Sequence, residues 1–407
     1  MTKPYLPLFA AVLMSSASWA SAIPATTSAL KPIPTMVVSK ESDMLKPGGG
    51  LNLSSPYLAG VGGTPGYEGV GTLMIKGDAL KPGYATYCTG SLISPTLVVT
   101  AAHCVANPEV GTLKSIQFAV PNGRILHGVS PAPNPGPLDI AVGGAITTLP
   151  GWDIKTLGED LAVVKLDAPM KGVPTYDLFR GDPMGRQFSV VGTGTSGWGA
   201  VGADSETGYL GGIWDLRKRV GENTFDEYAS DFYDAFLNYY GIDLRIGGPD
   251  KGVLLYDFDS GLAQNDVFGL LCDIPDPALA SLCVKQTGIA HEAGTAPGDS
   301  GGPLFVDGKI AGITSWGQTG AILSFDGQYI YCGGPKDIDV SFDVDSGSCT
   351  DSSFGEINGV TNISYYADYL DSVLAGKIAF QRVPEPASIA LVLAGLAGFG
   401  AFRRKRK

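Results

Sequence analysis

Histidine is scarce in this chain of 407 residues: there are three, His103, His127 and His291, and none lies beyond Ser300. Any chemistry that needs a histidine downstream of a serine at that position is excluded. An excess of basic side chains is also lacking. Lys and Arg number 28 against 40 Asp and Glu, a net charge of −12, which argues against nucleic acid as a partner and reads as a solvated acidic surface. Long apolar runs are missing too: Leu6 to Met14 and Ile389 to Phe402 are both short for a stable membrane span. Charged residues make up only 17% of the chain, whereas it holds 57 glycines and 28 prolines. That balance is the composition of a β-rich secreted globule with many turns.

Lys3 precedes the first apolar run, and Ala20-Ser-Ala22 supplies small residues for cleavage. Residues 1–22 therefore read as a secretory signal peptide. In an exported chain the 6 cysteines suggest disulfides, with too many connectivities for spacing alone to choose among them. Residues 23–59 are rich in Pro, Ser, Thr and Lys with little periodicity, and read as a loose leader or propeptide. The remaining length suits one large domain or two small ones.

Two stretches carry chemistry. Thr295-Ala-Pro-Gly-Asp-Ser-Gly-Gly-Pro303 sets Ser300 among glycines, which let backbone N–H groups approach a reacting atom. The N–H groups of Gly298 and Ser300 can then face one developing oxyanion, where such donors contribute about 3–4 kcal/mol each. Thr100-Ala-Ala-His-Cys104 offers His103, a side chain suited to take a proton near neutral pH. A glycine turn and a core histidine are the plain alternative. Gly298-x-Ser300-x-Gly302 also has the form of a nucleophile elbow, but that arrangement places its histidine after the serine, and none follows here.

Together and in this order, the two stretches resemble the histidine and serine signatures of the trypsin/chymotrypsin-like serine peptidases. The resemblance implies an all-β fold of two six-stranded antiparallel barrels of the chymotrypsin type with a C-terminal helix. It also implies a Ser-His-Asp triad acting on a protein or peptide substrate, with no metal or organic cofactor. Two aspartates compete for the third place, Asp139 and Asp160. The family pattern continues from Asp160 through Leu166 and Pro169, whereas Asp139 runs into Gly143-Gly144, so Asp160 is preferred. The order His103, Asp160, Ser300 is then that of chymotrypsin. The resemblance pairs Cys88 with Cys104, a crosslink of about 3 kcal/mol beside His103. Phe188 to Gly199 resembles the strand that opens the second barrel. Gly60-Val-Gly-Gly63 stands where the family's mature N-terminus begins, whose freed amine would pair with Asp299. Gly60 lacks the usual hydrophobic side chain, so an ordinary glycine turn is the alternative. On this basis the peptidase domain spans residues 60–376.

The same resemblance assigns the substrate pocket residue by residue. Six residues before Ser300 is Gly294, where members specific for basic side chains carry Asp. With Thr295 beside it, and Ser315, Trp316 and Gly317 as the backbone-binding strand, an apolar or aromatic preference is expected. His291 lies nearer to Ser300 in sequence than His103 does, but only His103 has the family context.

Residues of about 200–290 exceed the usual length and read as an insertion in the second barrel. Within it, Phe225–Tyr240 has helical spacing with aromatic anchors, Leu254–Phe258 reads as a strand, and Leu216-Arg-Lys-Arg219 as a solvated basic loop. Arg219-Val-Gly-Glu-Asn223 and Tyr256-Asp-Phe-Asp259 are similar to segments of exported bacterial members, with no role assigned. The acidic run Asp337–Asp345 reads as an acidic loop, its spacing not being that of an EF-hand. Cys272 with Cys283, and Cys332 with Cys349, are pairs by proximity only. Tyr365–Leu374 has the pattern of the closing helix.

Val383-Pro-Glu-Pro386, the apolar run to Phe402 and the basic end Arg403–Lys407 resemble the PEP-CTERM sorting signal of Gram-negative bacteria. This segment, residues 383–407, implies an exosortase-type partner, transient membrane contact with later processing, and a cell-envelope or extracellular destination. A permanent tail anchor is the alternative. For the whole chain, the reading from another class is a catalytically silent homologue that serves as an envelope binding module.

Overall fold

The computed structural model describes residues 23–24, 36–44, 46–47, 52, 54–60, 64–82, 84–121, 138–154, 158–203, 217–240, 249–320, 338–340 and 350–383. The signal-peptide stretch, Val61–Gly63, His127, Leu216, Cys332, Cys349, most of the Asp337–Asp345 run and the tail after Val383 lie outside the described residues. Among the described residues no helix is long and apolar enough to cross a membrane.

After a short strand β1 (Met36–Val38), the chain builds a first unit from β2 (Val70–Gly77), β3 (Tyr84–Ser94), β4 (Leu97–Thr100), β5 (Leu113–Pro121), β6 (Leu138–Thr148) and β7 (Ala162–Leu166). These run β3-β2-β5-β6-β7-β4, and β4 pairs back to β3, so the sheet closes into an antiparallel barrel. Leu73, Ile75, Leu92, Val98, Ile116, Phe118 and Val164 fill it with no exposure to solvent. Each such side chain contributes about 1.5–3 kcal/mol of apolar burial. Closure also removes sheet edges that would otherwise expose unpaired backbone.

The second unit uses β8 (Gln187–Gly192), β9 (Ser196–Trp198), β10 (Arg219–Thr224), β11 (Glu227–Tyr228), β12 (Val253–Asp257), β13 (Ala293–Gly294), β14 (Pro303–Val306), β15 (Lys309–Thr319) and β16 (Glu356–Asn362). The main sheet runs β10-β8-β14-β15-β16-β12-β11 and curls into a half-barrel around Phe188, Phe225, Tyr256, Leu304 and Val360. Its end strands β10 and β11 are joined through Phe225 and Asp226; Asn223 Nδ2 on β10 donates to Asp257 O on β12 at 2.7 Å, and the Asp226 N–H donates to Leu255 O at 2.9 Å beside the β11–β12 pair. The fold is thus a chymotrypsin-like double barrel, with one barrel closed and its neighbour open at a seam bridged by these bonds.

Three strands of the half-barrel, β10, β11 and β12, lie inside the span read as an insertion. The additions to the sheet in that span are helical. Helix α2 (Ala229–Tyr240) packs Phe232, Tyr233 and Phe236 against Leu255, Ile357 and Trp316, behind the strand that carries Ser315 and Gly317. The Cys272–Cys283 disulfide closes a second short helical segment beside it. The last helix, α3 (Ala367–Leu374), buries Leu370 and Val373 on the first barrel's core. The chain then returns to that barrel as β17 (Gln381–Arg382), paired with β6.

The segment before Gly60 is not loose where it is described. β1 lies between β9, which it pairs in parallel, and β13, which it pairs antiparallel. Val38 has no exposure. Tyr57 is buried, its hydroxyl donates to Glu292 O at 3.0 Å, and the Ala59 N–H donates to Lys218 O at 3.1 Å. The sequence around β1 is short and irregular, so its seat comes from partners far along the chain rather than from local pattern. The expected solvated basic loop is corrected in the same place. Lys218 and Arg219 are buried, Lys218 Nζ donates to Gly66 O and Tyr67 O, and burial lowers the Lys218 ammonium to about 7. Docking of Tyr57–Ala59 across the strand start removes the water that a charged loop would have used.

Val38→Ala removes two buried methyl groups between two strands. It is expected to cost about 2 kcal/mol in denaturant unfolding. A change under about 0.5 kcal/mol, the scatter of surface substitutions, would mean that β1 is not seated on the half-barrel.

Candidate active site

The turn holding Ser300 is pressed between the two barrels, and its glycines follow from that approach. Gly298 and Gly301 have φ of 94° and 80°, a region that L side chains rarely enter. A Cβ at position 301 would stand 2.0 Å from Thr100 Oγ1 and 2.4 Å from Thr89 O, both on the first barrel. Thr89 clamps the turn from that side: its N–H donates to Ser300 O at 2.8 Å and its hydroxyl to Gly298 O at 2.9 Å. From the other side Asp299, fully buried, accepts from the N–H groups of Gly194 and Ala296 at 2.8 and 2.9 Å. Burial pushes the Asp299 carboxyl up to about 7, against the pull of those two N–H groups and of Arg219.

His103 lies on α1 (Ala102–Val105), a single helical turn directly after β4. The Cys88–Cys104 disulfide, with Cα atoms 6.2 Å apart, ties that turn to β3. Of the two competing aspartates it is Asp160 that meets it. His103 Nδ1 and Asp160 Oδ2 are 2.6 Å apart, and the His103 backbone N–H donates to Asp160 Oδ1 at 2.8 Å. Asp160 enters from the loop before β7, where Glu159 takes a left-handed φ of 57°. Asp139 pairs with Val120 in the ladder between β5 and β6.

Ser315, read as a substrate contact, donates its hydroxyl to Asp160 Oδ2 at 2.5 Å. Thr361 Oγ1 donates to Asp160 O at 2.9 Å and had no distinguishing signal in the sequence. At 2% exposure the Asp160 carboxylate has exchanged water for a fixed set of donors. Burial pulls the His103 imidazole down, but the charge and hydrogen bond of Asp160 outweigh it, and its pKa lies above the ordinary histidine value.

His103, Thr295, Ser300, Ser315, Gly317 and Glu356 line one cleft. Among the described residues no hydrogen bond joins Ser300 Oγ to the His103 ring; the two face the same space. His291 is exposed, with a φ of 59°, and stacks edge-on against Tyr57 outside this cleft. Gly294 has Phe258 beneath it, 2.9 Å from where a Cβ would be. Thr295 bonds Asn358 Oδ1 through its N–H and hydroxyl at 3.2 and 2.6 Å. Trp316 turns its ring away, buried against α2.

The sequence reading missed Glu356. Its Oε2 stands 3.5 Å from a Cβ placed on Gly317, so a carboxyl borders the cleft from β16 although position 294 carries none. Its other oxygen accepts from the N–H groups of Asp351 and Ser352. Burial first, then repulsion from Asp339 and Asp351, pushes this carboxyl well above the usual range. The available signal was a single ionisable residue at the head of the strand Glu356–Asn362, which is buried throughout.

A chymotrypsin-like double barrel with a serine and an aspartate-paired histidine in its cleft is the architecture of one peptidase class. The trypsin family model matches residues 61–208 and 280–332, and that of the PEP-CTERM protein-sorting motif matches residues 382–407. Similar curated proteins include a trypsin of Saccharopolyspora erythraea, 24% identical over 259 residues that cover 64% of this chain and 88% of that protein. Trypsin zeta of Drosophila erecta is 26% identical over 253 residues, covering 60% and 68%. A trypsin of Simulium vittatum is 25% identical over 251 residues, covering 61% and 77%. The chain carries a trypsin-family domain together with a C-terminal PEP-CTERM sorting motif.

The His103 ring should titrate above the ordinary midpoint of about 6.5 in an imidazole NMR titration, and Asp160→Asn should move the midpoint down. Because its folded pKa is raised, protonated His103 adds stability that is fully present below the unfolded value and is lost as pH rises through the folded value. An unshifted midpoint in the wild type would remove the ion pair from the account.

Proposed function

We propose that the chain is an exported serine endopeptidase. Ser300 Oγ attacks the carbonyl carbon of the scissile peptide as its proton passes to His103 Nε2. The C–N bond then breaks while the imidazolium returns that proton to the leaving amine. Water repeats the sequence on the acyl-enzyme, releasing the acid and regenerating the serine. Asp160 holds the tautomer with Nδ1 protonated and balances the imidazolium. The Gly298 and Ser300 N–H groups hold the oxyanion. The observation that carries this reading is the 2.6 Å His103–Asp160 contact opening onto the cleft that Ser300 shares.

The signal peptide and the PEP-CTERM motif support export, handling by an exosortase-type enzyme and a cell-envelope or extracellular destination. The buried Asp299 supports activation by cleavage before Gly60 or Val61. In the intact chain the Gly60 N–H donates to Thr64 O and Pro65 O, both at 3.1 Å, within a turn. A new ammonium brought to Asp299 would relieve a carboxylate that burial disfavours. N-terminal sequencing of active protein tests this, and an intact leader on active enzyme refutes it.

Gly294 favours apolar or aromatic side chains in the pocket. Glu356 favours a second reading, in which a basic side chain reaches the carboxyl beside Gly317. Peptide-library cleavage separates them. If the second holds, Glu356→Gln lowers cleavage after Lys or Arg at least tenfold and leaves cleavage after Phe or Leu unchanged. If the first holds, apolar cleavage dominates in both proteins.

A fluorophosphonate probe should label correctly processed protein at Ser300. Asp160→Asn should lower kcat/KM by about 10³- to 10⁴-fold, while Asp139→Asn changes it little. Failure to label the processed wild type would favour the envelope binding module instead.

A further inference from the structure

The half-barrel gathers acidic side chains at a place the reaction does not use. Asp257 ends β12, Asp259 follows two residues on, and Asp266 precedes the short helix Val267–Leu270. All three are buried, and each offers a carboxylate oxygen within 4.8 Å of the other two. Oxygens bound to one calcium ion at about 2.4 Å each can stand up to about 4.8 Å apart, so the spacing allows the three to share one ion.

A second observation points the same way. Asp259 is 4% exposed, and its Oδ1 is buried with no hydrogen-bond partner. The neighbouring acids are tied to backbone. Asp257 Oδ2 accepts from the Phe268 N–H, and Asp266 accepts from the Gly269 and Gln286 N–H groups. An ionised carboxylate oxygen buried without donor or cation is among the costlier groups a fold can hold.

We propose that Asp257, Asp259 and Asp266 bind a calcium ion. The donors are all hard oxygens, without the imidazole or thiolate that zinc or copper would select. Further carboxyls surround the three: Asp226 Oδ2 accepts from the Asp257 N–H and Glu292 Oε1 from the Asp259 N–H.

The position gives the ion a consequence. Phe258, between two ligands, lies under Gly294. Glu292 accepts from the Asp259 N–H and the Ile289 N–H, tying the same loop to the strand that leads into Gly294. Calcium would therefore brace the base of the substrate cleft from below.

The test uses the full chain, stripped with a chelator and titrated with CaCl2 by calorimetry and by thermal melting. These readouts do not depend on peptidase activity. The expected result is one saturable site in the wild type, with a melting temperature raised by several degrees at saturation. Asp259→Asn should weaken binding at least tenfold and lose the shift, and Asp339→Asn, in the other acidic segment, should keep both. MgCl2 should bind more weakly, since magnesium demands a tighter octahedral shell. Absence of binding heat and of any melting shift in the wild type up to 10 mM CaCl2, about the weak limit for extracellular calcium modules, overturns the proposal without reference to a variant. Binding that survives Asp259→Asn, or is lost only in Asp339→Asn, overturns it as well.

Discussion

No side chain fits at position 301. That constraint governs the molecule, because the turn that presents Ser300 must slide under Thr89 and Thr100 of the other barrel. A methyl group there would push the two barrels apart at the point where their side chains have to meet. The hydrogen bonds from Thr89 to Ser300 O and Gly298 O act only at that separation. The Cys88–Cys104 bridge then fixes His103 on the same patch of the first barrel. Serine and histidine come from opposite barrels, so their shared cleft is a property of the contact and not of either unit.

Electrostatics divides the site into two kinds of buried acid. Asp160 is buried but surrounded by donors: the His103 ring and backbone and the Ser315 hydroxyl. Such a shell replaces water, and the charge can serve the imidazole beside it. Asp299 has two backbone donors and a more distant Arg219, and burial still pushes it up to about 7. The two shells suit the roles proposed for them, orienting His103 in one case and awaiting a cation in the other.

The material added to the half-barrel sits behind the substrate-binding strand. Helix α2 seats Tyr233 against the Trp316 ring, and the Tyr233 hydroxyl donates to Gln318 on the same strand. That backing leaves Ser315 and Gly317 facing the cleft while Trp316 faces the core. On the far side β1 adds a strand against β13, just before the turn of Ser300. The cleft is therefore supported by segments from the beginning and the middle of the chain.

Much of the site was legible because its chemistry depends on contiguous residues. A serine among glycines, a histidine beside a cysteine and an aspartate heading an apolar strand each occupy a few positions, and the resemblance joined them. The double barrel came with the same resemblance, and many short strands between Gly and Pro turns agreed with it. Other features had no local signal. Val38 reads as any valine until β9 and β13 flank it. Lys218 reads as solvated until Tyr57–Ala59 close over it. Glu356 borders the cleft only because β16 pairs with β15 in one register. Residue identity determined which groups could do chemistry, since that is covalent. Tertiary structure decided which of them lost water and which met, because burial and long-range pairing belong to the packed chain and to no segment of it.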